Sequence, residues 1–97
     1  MVYNLITSPE AEIDIERAVD WYVNISITVA QQFVAELKAV KTYIVKNPKK
    51  IQLRYNNIRV AFLKHFPYGI HYLLSEQTII IVAVFNTAEN PDKWKKR

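Results

Sequence analysis

Apolar residues recur along this chain with two different periods, and the period changes near Pro48. Within residues 11–44 they are spaced by three and four, which is the repeat of a helix with one buried face. Within residues 52–85 they are spaced mainly by two, which is typical of β-strands. A short apolar segment at residues 2–7 predicts a strand before the first helix.

Two helices with a tight junction are predicted before Pro48. Ser8 can cap the first helix, whose buried face is predicted to contain Ala11, Ile15, Ala18, Tyr22 and Ile25. Residues 24–26 break the repeat, and Ser26 or Thr28 can cap the second helix, whose buried face is predicted to contain Ala30, Phe33, Leu37, Val40 and Ile44. Pro48 ends this helix because proline disfavours helical geometry in the residue before it. The two helices therefore form an αα-hairpin.

Four strand segments are predicted after the helices. A turn at Asn56-Asn57 separates the first two, since asparagine tolerates positive φ, and Pro67 marks the corner before the third. The last segment is apolar on both faces, which predicts a central strand that is covered on both sides. The four segments are residues 52–55, 58–63, 68–74 and 79–85.

This order of elements predicts an α+β fold in a single domain of residues 1–97. The N-terminal strand and the αα-hairpin precede a mostly antiparallel sheet of four to five strands, and a short C-terminal tail follows it. The hairpin is expected to pack on one face of the sheet. The opposite face is expected to be open unless another part of the chain covers it.

Charge is distributed unevenly between the two halves of the sequence. Residues 1–48 contain four basic and six acidic side chains, a net charge of −2, whereas residues 49–97 contain nine basic and three acidic ones, a net charge of +6. A one-sided positive field attracts a nucleic acid or an acidic protein segment. Ordinary solvated surface charge is the alternative.

Several classes of site are excluded by residue usage. The chain has one glycine and no cysteine, so it has neither a phosphate-binding glycine loop nor a cysteine metal site. The two histidines are not in a metal-ligand spacing, and no cofactor is implied. No secretory signal is recognisable and no apolar run is long enough to span a membrane. Together with the absence of cysteine, this predicts a cytoplasmic location without membrane contact.

The candidate functional residues are basic and aromatic, and all of them fall in the strand region or the tail. Cations can stabilise the charge that develops on a phosphate while a histidine transfers protons, and aromatic side chains can stack on bases. Arg59 and His71 are the candidate catalytic residues. The candidates for binding a nucleic acid or a protein target are Arg54, Lys64, His65, Trp94, Lys95, Lys96 and Arg97.

Each of these candidates also has a purely structural interpretation. Arg59 would then be a sheet-surface arginine paired with a carboxylate. His71 shares a strand face with Leu73, so it is at least as well explained as a packed histidine. Trp94 would attach the tail to the sheet.

Four segments together resemble the RelE/ParE family of bacterial type II toxins, the plasmid stabilisation proteins. In chain order they read SPEAEIDIERAVDWY, AQQFVAELKAVKTYIVKNP, IRVAFLKHFPYGIHYLL and TIIIVAVFNTAENPDKWKKR. The resemblance covers essentially the whole chain. It implies a toxin that is neutralised by a cognate antitoxin, in a toxin–antitoxin hetero-oligomer. The implied target is either DNA gyrase or mRNA in the ribosome.

The sequence departs from the RNA-cleaving branch of that family at two places. That branch often has an arginine after the tyrosine that opens the third strand segment, where this chain has Gly69. Relatives commonly have His-x-x-Arg-x-Pro after the last strand, where this chain has Asn86 and Glu89. Asparagine cannot act as a general acid or base. The catalytic set for a ribosome-dependent endoribonuclease is therefore incomplete, and a non-toxic module that binds only an antitoxin or a nucleic acid is the alternative.

Overall fold

The computed structural model describes residues 2–89, which form two helices and five strands. Their order along the chain is that of the sequence prediction. The elements are β1 (Asn4–Thr7), α1 (Pro9–Ile25), α2 (Ile27–Lys46), β2 (Leu53–Tyr55), β3 (Ile58–Phe62), β4 (Tyr68–Ser75) and β5 (Thr78–Asn86).

The strands form one mixed sheet in the order β1-β5-β4-β3-β2. Successive strands from β2 to β5 pair antiparallel, and β1 pairs parallel with β5. The α+β prediction with a mostly antiparallel sheet is therefore confirmed. The middle strand is β4, and β5 lies between it and β1, so β5 is interior without being the central strand.

Local side-chain chemistry sets the ends of both helices. The Ser8 hydroxyl accepts a hydrogen bond from the Ala11 amide at 3.1 Å, and Pro9 occupies the first turn of α1. Ser26 closes α1 through a backbone bond to Tyr22 and opens α2 by accepting from the Val29 amide. One residue thus replaces a loop between the helices, because its hydroxyl satisfies a backbone donor that has no partner inside the helix.

The main core lies between the helical hairpin and one face of the sheet. Phe33 and Ile44 of α2 and Ile70 and Tyr72 of β4 are fully buried there. Phe33 also packs in tilted or edge-on geometry against three neighbouring rings, those of Tyr22, Phe66 and Tyr68. Ile25 was expected on this buried face but is exposed, because α1 ends there at the open tip of the hairpin.

The sheet face that points away from the helices is closed at its centre. Val60, His71 and Ala83 occupy one register row across β3, β4 and β5, and all three are buried although none belongs to the helix-side core. Gly69 allows close packing on this face, since a Cβ at that position would lie 2.8 Å from Val60 Cγ1. This face was expected to be open unless another part of the chain covers it, and its central region is covered.

Candidate functional site

Arg59 and Tyr72 together hold the loop that connects α2 to β2. They are paired across β3 and β4. The Arg59 guanidinium donates to the carbonyls of Ile51, at 2.5 Å, and Lys49, at 3.3 Å. The buried Tyr72 hydroxyl donates to the Pro48 carbonyl at 2.7 Å. Arg59 thus bonds backbone carbonyls, and these contacts fix the loop over the edge of the sheet.

Burial raises the pKa of Tyr72 to about 12, although the nearby positive charge of Arg59 acts in the opposite direction. The phenol therefore keeps its proton to a higher pH than an exposed tyrosine does, and it serves as a hydrogen-bond donor to the loop. A neutral donor with a carbonyl partner is what a buried site of this kind requires.

His71 is buried on the other face of the sheet. Its side chain is 1% exposed, its Nδ1 lies 2.9 Å from the Tyr55 hydroxyl, and the Phe85 ring packs edge-on against it. This pairing joins the short strand β2 to the interior of the sheet. The hydrogen bond gives the buried Nδ1 of His71 a partner, and a buried polar atom without a partner would lower the stability of the fold.

His65 and Lys64 lie in the exposed loop between β3 and β4. Glu36 on α2 accepts from both the amide and the ring of His65, at 2.9 Å and 2.6 Å. Burial alone would raise the pKa of Glu36, but these hydrogen bonds and the charge of His65 outweigh it, so the pKa lies below its usual value. The contact ties the loop to the helix while leaving the His65 side chain 79% exposed.

Arg54 is exposed on β2, and its guanidinium carbon lies 5.3 Å from the centre of the Phe62 ring. Such a cation–π contact holds the charge at the β2–β3 end of the sheet. Lys64 lies in the loop two residues after β3, so basic side chains are found near both ends of this strand.

A groove of about 520 Å³ lies between β3 and α2. The sequence pattern does not reveal this groove, because its walls come from segments that are far apart in the chain and are apolar like many other surfaces of the protein. The only sequence feature that indicates the groove is a pair of residues on the second helix, the small Ala39 and the apolar Tyr43, which lie next to its predicted buried face. The residues that line the groove are Ala39, Val40, Tyr43, Ile51, Val60, Ala61, Phe62 and Lys64.

Those of the sequence-predicted site residues that the structure describes are not gathered into one pocket. Arg59 belongs to the loop contact and His71 to the buried pair, whereas Arg54 and Lys64 border the groove. Asn86 accepts a hydrogen bond from the Ala88 amide in the turn after β5. The remaining candidates, Trp94, Lys95, Lys96 and Arg97, lie outside the described residues.

Within residues 2–89, no three His, Asp or Glu side chains come close enough to hold a metal ion. Neither of the two described helices is long and apolar enough to cross a membrane.

A family model matches residues 5–91, described as the ParE toxin of the type II toxin-antitoxin system parDE. The chain belongs to the ParE toxin family. The match covers most of the sequence and confirms the RelE/ParE resemblance, including the toxin class.

A solved structure supports the ParE fold independently. A chain described as "Chromosomal ParDE TA system from P. aeruginosa" superposes with a TM-score of 0.76 at 16% identity, covering 88% of this chain and 96% of that one. No curated protein sequence matches significantly. At this identity the superposition speaks for the fold, while the family model carries the ParE assignment.

Proposed function

We propose that this chain is the toxin of a type II toxin–antitoxin pair and that it arrests growth by acting on DNA gyrase, not by cutting mRNA. Membership of the ParE toxin family supports the first part. The burial of His71 supports the second, because a general acid or base must come within hydrogen-bond reach of the group it protonates. A ring that is 1% exposed and paired with Tyr55 does not reach a phosphate in this conformation.

Arg59 supports the same choice. A cation that stabilises a phosphate in the transition state must direct its donors at that phosphate. In this chain the guanidinium directs donors at the carbonyls of Lys49 and Ile51. To serve an RNA substrate, it would have to release the loop between α2 and β2.

Ribosome-dependent mRNA cleavage is the second candidate, favoured by the exposed His65 beside Lys64 in the loop after β3. These residues could contact an RNA backbone without any rearrangement. A non-toxic family member that only binds an antitoxin is the third candidate, motivated by Asn86 and Glu89 in place of the histidine and arginine of relatives.

Induced expression separates the three candidates. We expect growth arrest, induction of a DNA-damage reporter, and inhibition of supercoiling when the purified chain is added to gyrase. Primer extension on cellular mRNA should show no codon-positioned cuts. Cuts that disappear in His65→Gln, with supercoiling unaffected, would overturn the gyrase proposal in favour of cleavage. Normal growth on induction, with the protein present and folded, would leave only the binding role.

Neutralisation is tested in the same cells. Co-expression of the protein encoded beside this gene should restore growth, and the two proteins should purify together. Growth that stays arrested despite a stable complex would contradict neutralisation by that partner.

A further inference from the structure

Strand β1 forms one edge of the sheet, and it is paired on its inner side alone among the described residues. Its partner there is β5, and the Asn4 amide donates inward to the Gln77 carbonyl at 2.8 Å. Successive residues of a strand direct their backbone groups to opposite sides. The residues whose N–H and C=O point outward are therefore Tyr3, Leu5 and Thr7. An edge of this kind is a template for another strand.

This edge lacks several features that usually prevent strands from pairing. Residues 2–8 contain no charged side chain and no proline, and the pairing of β1 with β5 has no register shift from Asn4 to Thr7. Val2 and Ile6 are 82% and 53% exposed, whereas Leu5 packs against the helix-side core. The exposed apolar side chains thus lie on the face of β1 that points away from the helices, where a paired strand would cover them.

We propose that β1 pairs antiparallel with β1 of a second copy of this chain, across a twofold axis at Leu5. In this register Leu5 faces its own counterpart, and Tyr3 faces Thr7 of the second copy. Every outward N–H and C=O then has a partner, which gives about six hydrogen bonds between the copies. A shift of one residue would set outward groups against inward ones, and a shift of two residues would leave part of the edge unpaired. The two sheets become one continuous sheet.

Charge favours a second copy over a charged partner. The strand order places β1 and β2 at opposite edges of the sheet, so Arg54 on β2 lies four strand spacings from β1, roughly 19 Å. Pairing through β1 keeps the Arg54 side chains of the two copies well beyond the screening length of about 8–10 Å. Glu10, the first charged residue after β1, lies at opposite ends of the paired strands in the two copies. A nucleic acid or an acidic peptide would find no charge in residues 2–8 to bind.

The length of β1 sets the expected strength of this dimer. The strand has four residues, and a short edge forms a small interface of the transient class. We expect a monomer–dimer equilibrium with a dissociation constant on the order of 100 µM. Sedimentation of the purified chain at loading concentrations from about 10 to 500 µM spans this value and measures it.

Ile6→Lys and Leu53→Lys test which edge is used. Both side chains are about half exposed, at 53% and 50%, and both substitutions add one positive charge, but they lie on β1 and β2 at opposite edges. In the proposed register the two Ile6 side chains are diagonal neighbours across the axis, so two lysines would repel. We expect Ile6→Lys to weaken the dimer by about tenfold or more and Leu53→Lys to change its dissociation constant by less than about twofold. Thermal melts show that each variant is folded.

Complementary charges should restore what like charges remove. Ile6→Glu alone should also be monomeric, but an equal mixture of Ile6→Lys and Ile6→Glu should associate about as well as the parent, because opposite charges across a strand pair are stabilising. A variant that had merely lost its fold would not recover in this way.

A disulfide tests the register directly, since the chain contains no cysteine of its own. Ile6 of one copy faces Asn4 of the other in a non-hydrogen-bonded pair, whose Cα atoms are about 4.5 Å apart, within the range that a disulfide spans. A mixture of Asn4→Cys and Ile6→Cys should therefore form a mixed disulfide under mild oxidation. Asn4→Cys mixed with Leu53→Cys is the control and should form little of it.

The outcomes are distinguishable from those that test the proposed function, because none of them depends on growth arrest. A parent chain that remains monomeric at about 500 µM overturns the proposal. A dimer that Ile6→Lys and Leu53→Lys weaken equally, or that Ile6→Lys leaves unchanged, does not use this edge. A monomeric parent whose Ile6→Lys variant loses the antitoxin would assign the edge to the antitoxin. A dimer that is neither restored by the charge pair nor captured by the disulfide contradicts the twofold register at Leu5.

Discussion

Replacing Tyr72 by phenylalanine isolates the contact that holds the loop between α2 and β2. The side chain is fully buried and its hydroxyl donates to the Pro48 carbonyl at 2.7 Å. The variant keeps the ring and its packing but removes the donor, and it leaves the carbonyl of buried Pro48 without this bond. A lost hydrogen bond together with a desolvated acceptor should lower the free energy of unfolding by about 1–2 kcal/mol. For a chain of this length, that corresponds to a fall in Tm of roughly 4–16 °C.

The effect should depend on pH in a defined direction. An exposed tyrosine ionises near pH 10, whereas burial raises the pKa of Tyr72 in the folded protein to about 12. Between these values the unfolded chain loses the phenol proton and the folded chain retains it. The parent therefore loses stability as pH rises from about 10 to 12, and the variant does not lose this contribution. The difference between the two proteins should be constant below pH 10 and shrink above it.

Urea unfolding monitored by circular dichroism, repeated from pH 7 to pH 11, measures both effects. Tyr43→Phe is the matched control, since Tyr43 is about half exposed and the same atom is removed. The control should change stability by less than about 0.5 kcal/mol. A Tyr72→Phe variant as stable as the control at pH 7 would refute the argument that this hydroxyl holds the loop. A difference that grows above pH 10 would refute the pKa argument.

Three further variants test other parts of the fold. Gly69→Ala should destabilise the protein by about 1–3 kcal/mol through overpacking, since the new Cβ would lie 2.8 Å from Val60 Cγ1. Adding Val60→Ala should restore part of the lost stability, as measured by thermal melts. Ser26→Ala should cost about 1 kcal/mol in urea unfolding, because the hydroxyl caps α2; an unchanged midpoint would contradict the capping role. Glu36→Gln should lower the free energy of unfolding near pH 6 but have little effect near pH 3. The contact with His65 lowers the pKa of Glu36, so the carboxyl stabilises the fold only when it is ionised. That contribution disappears as the pH falls. Equal losses at both pH values would show that the charge is irrelevant.

Local chemistry explains which parts of this fold could be predicted from sequence. Ser8 and Ser26 cap the two helices because their hydroxyls bond amides within the next three residues. The Asn56-Asn57 turn has φ angles of 42° and 63°, in the left-handed region that asparagine tolerates. In each case the decisive contact is made within a few residues, so the sequence pattern contains the whole cause.

Long-range pairing explains the features that were not predicted. The parallel pairing of β1 with β5 joins residues more than seventy positions apart, and no local pattern specifies it. A bulge in β5 leaves Val82 without a partner on β4, so the period of two shifts within that strand. The Asp14 carboxylate then accepts from the Val84 amide at 3.0 Å. A helix side chain thus bonds a backbone donor of β5, seventy residues further along the chain.

The candidate site failed to assemble because residue type does not determine exposure. The period of two places His71 on the face opposite Tyr72, and the structure agrees, but the pattern contains no information about whether that face is covered. The same limit applies to Arg59, whose expected partner was a carboxylate and whose actual partners are carbonyls eight and ten residues earlier.

Gly69 shows that the departure from the RNA-cleaving relatives is built into the packing. An arginine at this position would begin with a Cβ only 2.8 Å from Val60 and 3.3 Å from the Phe62 ring. Both neighbours also make other contacts. Val60 is paired with the buried His71 across β3 and β4, and the Phe62 ring packs against the Arg54 guanidinium. Restoring the missing cation would therefore require the side chains of Val60 and Phe62 to shift. Gly69 and His71 lie on the face away from the helices, whereas Arg59 bonds loop carbonyls beside Tyr72. Each of the three separately supports the proposal of a target other than RNA.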